Sequence, residues 1–183
     1  AEDDCDTIEH RKADRLGPGE PRKHCRADEL QHQRDLRETA AVEAVGEWTA
    51  INDGYNANPV SMRAALKAFA AWPSAGRKFL ALGTMLELGR LEEAEHETLG
   101  DFVAEGPWAG AVMLMAGLPA AAEALQAGLR SGAWPEDRIY LAADATAAAA
   151  WLRERMRPED VLLLKASRSV RIEEVLNELK KES

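Results

Sequence analysis

Short apolar runs recur along the chain from about Glu47, and each is followed by a stretch whose apolar positions repeat at helical spacing. Residues 48–52, 78–82, 111–115, 138–141 and 161–164 read as strands. Met62, Ala65, Leu66 and Phe69 form an i, i+3, i+4, i+7 stripe, as do Ile172, Val175, Leu176 and Leu179. Leu99, Phe102 and Val103 mark a helix after the second strand, and Leu118, Ala121, Ala122, Leu125 and Leu129 one after the third. The alanine-rich stretch 143–156, with Trp151 and Leu152 on one side, makes another. Strand alternating with helix predicts an α/β fold: a mostly parallel sheet, right-handed crossovers, and helices on both faces.

Residues 1–45 break this pattern. They carry both cysteines, three of the four histidines (His10, His24, His32), dense mixed charge and few apolar positions. Such a composition buries too little apolar surface to offset chain entropy, and Gly17-Pro18-Gly19 with Pro21 interrupts its middle. The expectation is a poorly ordered N-terminal segment, at most weakly helical over 26–45, ahead of one domain over 46–183. A misread or truncated gene start would account for it. Cys5, His10, His24 and Cys25 are suitable zinc ligands, but their spacing matches no familiar pair, so no metal is expected.

At 183 residues with 46% hydrophobic and 30% charged positions, the chain fits one ordinary globular domain. Its formal net charge of −9 argues against a nucleic-acid partner, because that affinity comes from neutralising phosphates. No apolar run approaches the ~20 residues of a membrane helix. The acidic, polar start has no secretion-signal core. Two cysteines outside the patterned region imply no disulfide framework, and a cytoplasmic protein is expected.

In a parallel sheet every strand's C-terminal end points to one edge, where ligands gather. Asp53 follows the first strand, Gly83 to Glu87 the second, and Lys165 to Arg168 the fifth, so three polar clusters belong on one edge. The first reads Asp53-Gly54-Tyr55-Asn56-Ala57-Asn58-Pro59-Val60-Ser61-Met62, with Asn58 suited to cap the next helix and Pro59 to its first position. Asp53 has the chemistry to accept hydroxyl or loop N–H donors. Gly83 permits close backbone approach. Glu87 suits a substrate amine or open solvent. His96, on the helix side shared with Leu99 and Val103, fits a satisfied core group better than a catalyst. Lys165, Ser167 and Arg168 suit an anion, or pairing with local acids.

Three stretches together resemble the C-terminal domain of the Mur ligases, in particular the D-alanyl-D-alanine-adding members. They are the run from Asp53, Leu82-Gly83-Thr84-Met85-Leu86-Glu87-Leu88-Gly89 followed by His96, and Lys165-Ala166-Ser167-Arg168. The resemblance covers roughly 46–183 and implies a Rossmann-like fold. It further implies that Asp53 contacts the ATP ribose and that Tyr55 and Asn56 lie near adenine. Glu87, Lys165, Ser167 and Arg168 would face the amine substrate and the phosphates, with Asn58, Pro59, Gly83 and His96 structural at the site. Thr84 stands where the family usually has aspartate, Ala166 where it usually has glycine, and Ser169-Val170-Arg171 also departs.

The family's reaction activates a carboxylate as an acyl phosphate with ATP and Mg²⁺ and lets an amine attack. No G-x-x-x-x-G-K-[ST] phosphate loop occurs in the 183 residues. The implied function is therefore the C-terminal lobe of a ligase joining D-alanyl-D-alanine to a UDP-N-acetylmuramoyl-tripeptide. Alone it is expected to be inactive and to hold no Mg²⁺. A stand-alone module binding a nucleotide or small acid without catalysis, and a decayed structural remnant, are the alternatives.

Overall fold

The computed structural model describes residues 40–115 and 118–181, together with Leu36. In chain order the elements are β1 (Ala41–Val45), β2 (Trp48–Asp53), α1 (Pro59–Ala70), β3 (Lys78–Leu82), α2 (Glu92–Ala104), β4 (Trp108–Leu114), α3 (Pro119–Ser131), β5 (Ile139–Ala142), α4 (Ala145–Arg155), β6 (Val161–Lys165) and α5 (Glu173–Lys180). Among the described residues the strands form one six-stranded sheet in the order β1-β2-β6-β3-β4-β5. Only β1 runs antiparallel. The five expected strands are all present, each within a few residues of its expected bounds.

The weak helix considered over 26–45 needs correction at its end. Ala41–Val45 is a strand paired residue for residue with β2, from Ala41 opposite Asn52 to Val45 opposite Trp48. Its alanines favour a helix by intrinsic propensity, but pairing with a neighbouring strand overrides so weak a preference. The two-residue connection starts at Gly46, with φ 58°, which glycine adopts without a Cβ clash. The sheet therefore begins ahead of the boundary expected at residue 46. The rest of the helix expectation, and the cysteine–histidine set, lie outside the described residues.

Helix α1 begins where the sequence signals it. Asn58 Oδ1 accepts the Ser61 N–H at 2.8 Å, and Ser61 Oγ accepts the Asn58 N–H at 3.0 Å, a reciprocal cap with Pro59 just inside. Asp144 caps α4 through the Ala147 N–H at 2.8 Å. Strand alternation then sorts the core into two layers. Ile51, Leu80, Leu82, Met113 and Leu163 pack beneath α1, α2 and α3, and Phe69 stacks on Trp108 with centroids 5.5 Å apart. Ala50, Phe79, Val112, Leu162 and Leu164 pack beneath α4 and α5. Every residue of β6 is buried, as a central parallel strand covered on both faces requires. No described helix is long and apolar enough to cross a membrane.

At the N-terminal ends of β3 and β6, Asp160 is 2% exposed and fully engaged. Its carboxylate accepts the Arg77 backbone N–H at 2.7 Å, Arg77 Nη2 at 2.6 Å and the Arg157 N–H at 2.8 Å. On the helical layer, α2 and α3 cross with Gly100 against Gly128. A methyl on Gly128 would lie 2.1 Å from the Glu97 carbonyl oxygen and 2.8 Å from Gly100 Cα. Both neighbours are backbone, so neither can turn away. Gly128→Ala therefore destabilises the domain by up to about 2 kcal/mol, because overpacking at ~1–3 kcal/mol is offset by a helix-propensity gain of only ~1 kcal/mol. A urea unfolding curve reads the sign directly.

Candidate functional site

The register brings the three polar clusters level. Asp53 on β2 and Leu82 on β3 are both partners of Lys165 on β6, so three strands end in one row. Lys165 is 2% exposed, and its ammonium donates to Asp53 Oδ2 at 2.7 Å and to the Asn56 carbonyl at 3.0 Å. Asp53 keeps 12% side-chain exposure, and its Oδ1 has no hydrogen bond among the described residues. Lys165 thus serves the chain's own first cluster, while Asp53 still presents an acceptor to the rim. Tyr55 is 77% exposed, which rules out core packing, and Asn56 is exposed beside it.

The second cluster is tied down by side chains from elsewhere. The Met85 N–H donates to His96 Nε2 at 2.8 Å, and the Leu86 N–H donates to Ser167 Oγ at 3.0 Å. Ser167 Oγ donates in turn to the Ala57 carbonyl at 3.4 Å, and the Ser167 N–H to the Thr84 carbonyl at 3.2 Å. One buried serine therefore touches all three clusters. Glu87, the next residue, is exposed and takes a left-handed φ of 66°. Thr84 Oγ1 is buried without a partner among the described residues.

Gly83 does not open the backbone to a ligand. A methyl there would lie 2.5 Å from Ala166 Cβ and 2.7 Å from Val170 Cγ1, so its smallness serves packing under the turn after β6. Gly54 similarly faces Ile172 Cγ2, with 2.6 Å left for a methyl, and brings the start of α5 against the first cluster. Arg168 is 70% exposed along its side chain, with Nη1 3.8 Å from Glu173 Oε1. Glu173 Oε2 is buried and unpartnered among the described residues. Glu173 escaped the sequence reading because an acid in a helix's first turn is ordinary macrodipole complementarity. Among the described residues, no three His, Cys, Asp or Glu side chains gather to hold a metal ion.

His96 is fully buried, with Nδ1 2.6 Å from the Glu92 carbonyl. A carbonyl only accepts, so Nδ1 carries the proton and Nε2 receives the Met85 N–H. Both ring nitrogens are used within the domain. Burial lowers its pKa from 6.5, opposed by the bond to the Glu92 carbonyl and by the charges of Glu92 and Glu95.

Together these features define a class: an α/β domain whose polar clusters share one rim at the C-terminal ends of its central strands. The chain belongs to the Mur ligase family, whose domain described as "Mur ligase, glutamate ligase domain" matches residues 39–168, taking in β1. The UDP-N-acetylmuramoyl-tripeptide–D-alanyl-D-alanine ligase of Mycobacterium bovis is 41% identical over 134 residues, which is 65% of this chain and 26% of that protein. The enzyme of the same name from Bacillus subtilis is 33% identical over 132 residues, 70% of this chain and 27% of that one. The crystal structure of MurF ligase from Thermotoga maritima in complex with ADP matches with a TM-score of 0.64 and 31% identity, over 77% of this chain and 30% of that chain. The chain spans about a quarter of the length of the curated relatives it matches.

Two measurements probe the site's electrostatics. Because Lys165 is the more deeply buried partner, Asp53→Ala leaves an uncompensated ammonium and costs about 3–5 kcal/mol. Lys165→Met costs less, and paired urea curves give the order. For His96, the unfolded chain binds the proton more readily, so stability is full above pH 6.5 and falls as pH drops towards the lower folded pKa. His96→Gln removes that part of the slope when unfolding is followed from about pH 7.5 to about pH 5.

Proposed function

We propose that this domain is the closing lobe of a peptidoglycan-precursor ligase that adds D-alanyl-D-alanine to a UDP-N-acetylmuramoyl-tripeptide. One observation carries the reading: the Lys165–Asp53 ion pair joins the first and third clusters at the rim, yet leaves Asp53 Oδ1 without a hydrogen bond among the described residues. A free carboxylate oxygen beside an exposed aromatic ring suits a nucleoside, with Asp53 accepting from a ribose hydroxyl and Tyr55 lying against the base. Asn56 supplies an amide at the same edge. The relative from Thermotoga maritima, crystallised with ADP, supports a nucleotide here.

On the other side of β6, Glu87 presents its carboxylate to a substrate ammonium, and exposed Arg168 offers a fork to a carboxylate. When bound, ATP activates the acceptor's carboxylate. This chain's residues orient the nucleotide and present the amine. Since 183 residues hold no phosphate-cradling loop, the lobe contributes positioning rather than chemistry by itself. Closing it over a nucleotide-holding partner domain completes the site and excludes water.

Calorimetric titration of the chain with ADP tests this. Weak binding is expected, reduced at least about tenfold by Asp53→Asn, the scale of one lost hydrogen bond to a charged group. No phosphate is released from ATP. Binding indifferent to Asp53→Asn would favour the decayed remnant, a reading motivated by the Thr84 hydroxyl, which is buried without a partner among the described residues. ATP-dependent ligation by this chain alone would overturn the lobe reading, and tight, self-sufficient ADP binding would favour the stand-alone module.

A further inference from the structure

We propose that Ser167 is a positioning residue whose hydroxyl, together with His96, sets Glu87 at the rim to receive the substrate ammonium. The inference rests on the amine-binding reading of Glu87 given above. Ser167 itself has no donor left for a ligand. It is 8% exposed, its Oγ accepts from Leu86 and donates to Ala57, and its N–H is taken by the Thr84 carbonyl.

What Ser167 does control is the backbone just before Glu87. Two successive N–H groups, those of Met85 and Leu86, are captured by side chains from different elements: His96 on α2 and Ser167 at the end of β6. The capture by Ser167 is not local in sequence, since it lies 81 residues beyond Leu86. The pinned dipeptide leads directly into the left-handed Glu87, a conformation that costs free energy for a residue with a Cβ. Surroundings that over-determine such a backbone are what keep it populated. Without the Ser167 hydroxyl, one of the two pins is gone and Glu87 can relax towards ordinary φ. The same hydroxyl reaches Ala57, so the amine-facing loop and the nucleotide-facing loop share a single atom as their spacer.

The test uses the ¹⁵N-labelled 183-residue chain with two probes, ADP and the dipeptide D-alanyl-D-alanine. In the wild type, dipeptide shifts the amide signals of Leu86, Glu87 and Leu88. Glu87→Gln abolishes the effect, and Ser167→Ala weakens it by about tenfold while signals away from the loop stay in place. That tenfold loss is the usual scale for one intramolecular hydrogen bond. Ser167→Thr keeps a hydroxyl and restores binding, which a role in bulk packing alone would not produce. Wild-type affinity in Ser167→Ala, or failure of the threonine variant to recover where alanine fails, overturns the positioning role. The parent reading is scored separately by ADP at Asp53 to Asn56. Shifts there with none at Glu87 leave the nucleotide edge standing and sink this inference; silence from both probes sinks both.

Discussion

The central position of β6 is the constraint on which the rest depends. It enters the sheet between β2 and β3, and its last residue pairs with the ends of both. Parallel strands that finish level give their following loops one common rim, so polar residues far apart in sequence become neighbours without any special loop design. Had β6 joined at an edge, Lys165 could reach at most one of the other two clusters. The placement also explains why its strand reads Val-Leu-Leu-Leu up to the lysine: both faces are covered, and only the terminal position can carry charge.

A charge in that position has to be answered. Lys165 is buried beneath the rim, and removing an ammonium from water costs several kcal/mol unless partners replace the lost hydration. Asp53 supplies the opposite charge and the Asn56 carbonyl a second acceptor, both from the first cluster. The ion pair is therefore as much a registry device as a stabiliser, since only the observed alignment of β2 with β6 lets both groups be satisfied. At the other end of β6, Asp160 plays the complementary part with Arg77 and the Arg157 N–H. The Thr84 and Glu173 oxygens that find no partner among the described residues, by contrast, are costs the fold carries near the rim.

Much of this was legible in the residues. The five parallel strands, the Asn58–Pro59 helix start and the convergence of three clusters follow from periodicity and capping chemistry that act locally. β1 was not legible, because Ala41–Val45 mixes two alanines and a glutamate with two valines, and its pairing with β2 is not local information that the segment carries. Individual site roles were also hidden. Lysine, serine and glycine at a strand end look like ligand contacts, yet Lys165 and Ser167 turn inward and Gly83 makes room for Ala166 and Val170. Direction and partner are tertiary facts. No spacing rule links Ser167 to Leu86 or Ala57.

The same late strand has a consequence for how the domain comes together. Five of the six strands precede residue 161, but among them β2 and β3 flank a gap that only β6 fills. As the chain leaves the ribosome, the hairpin of β1 with β2 and the β3-β4-β5 group can each organise early. They stay separate until the segment from Val161 onward arrives, since non-local pairing must first meet its loop-closure entropy. During synthesis the two halves expose apolar strand edges to each other and to everything else in the cell. The strand that creates the rim is thus also the one that ends the interval of greatest aggregation risk.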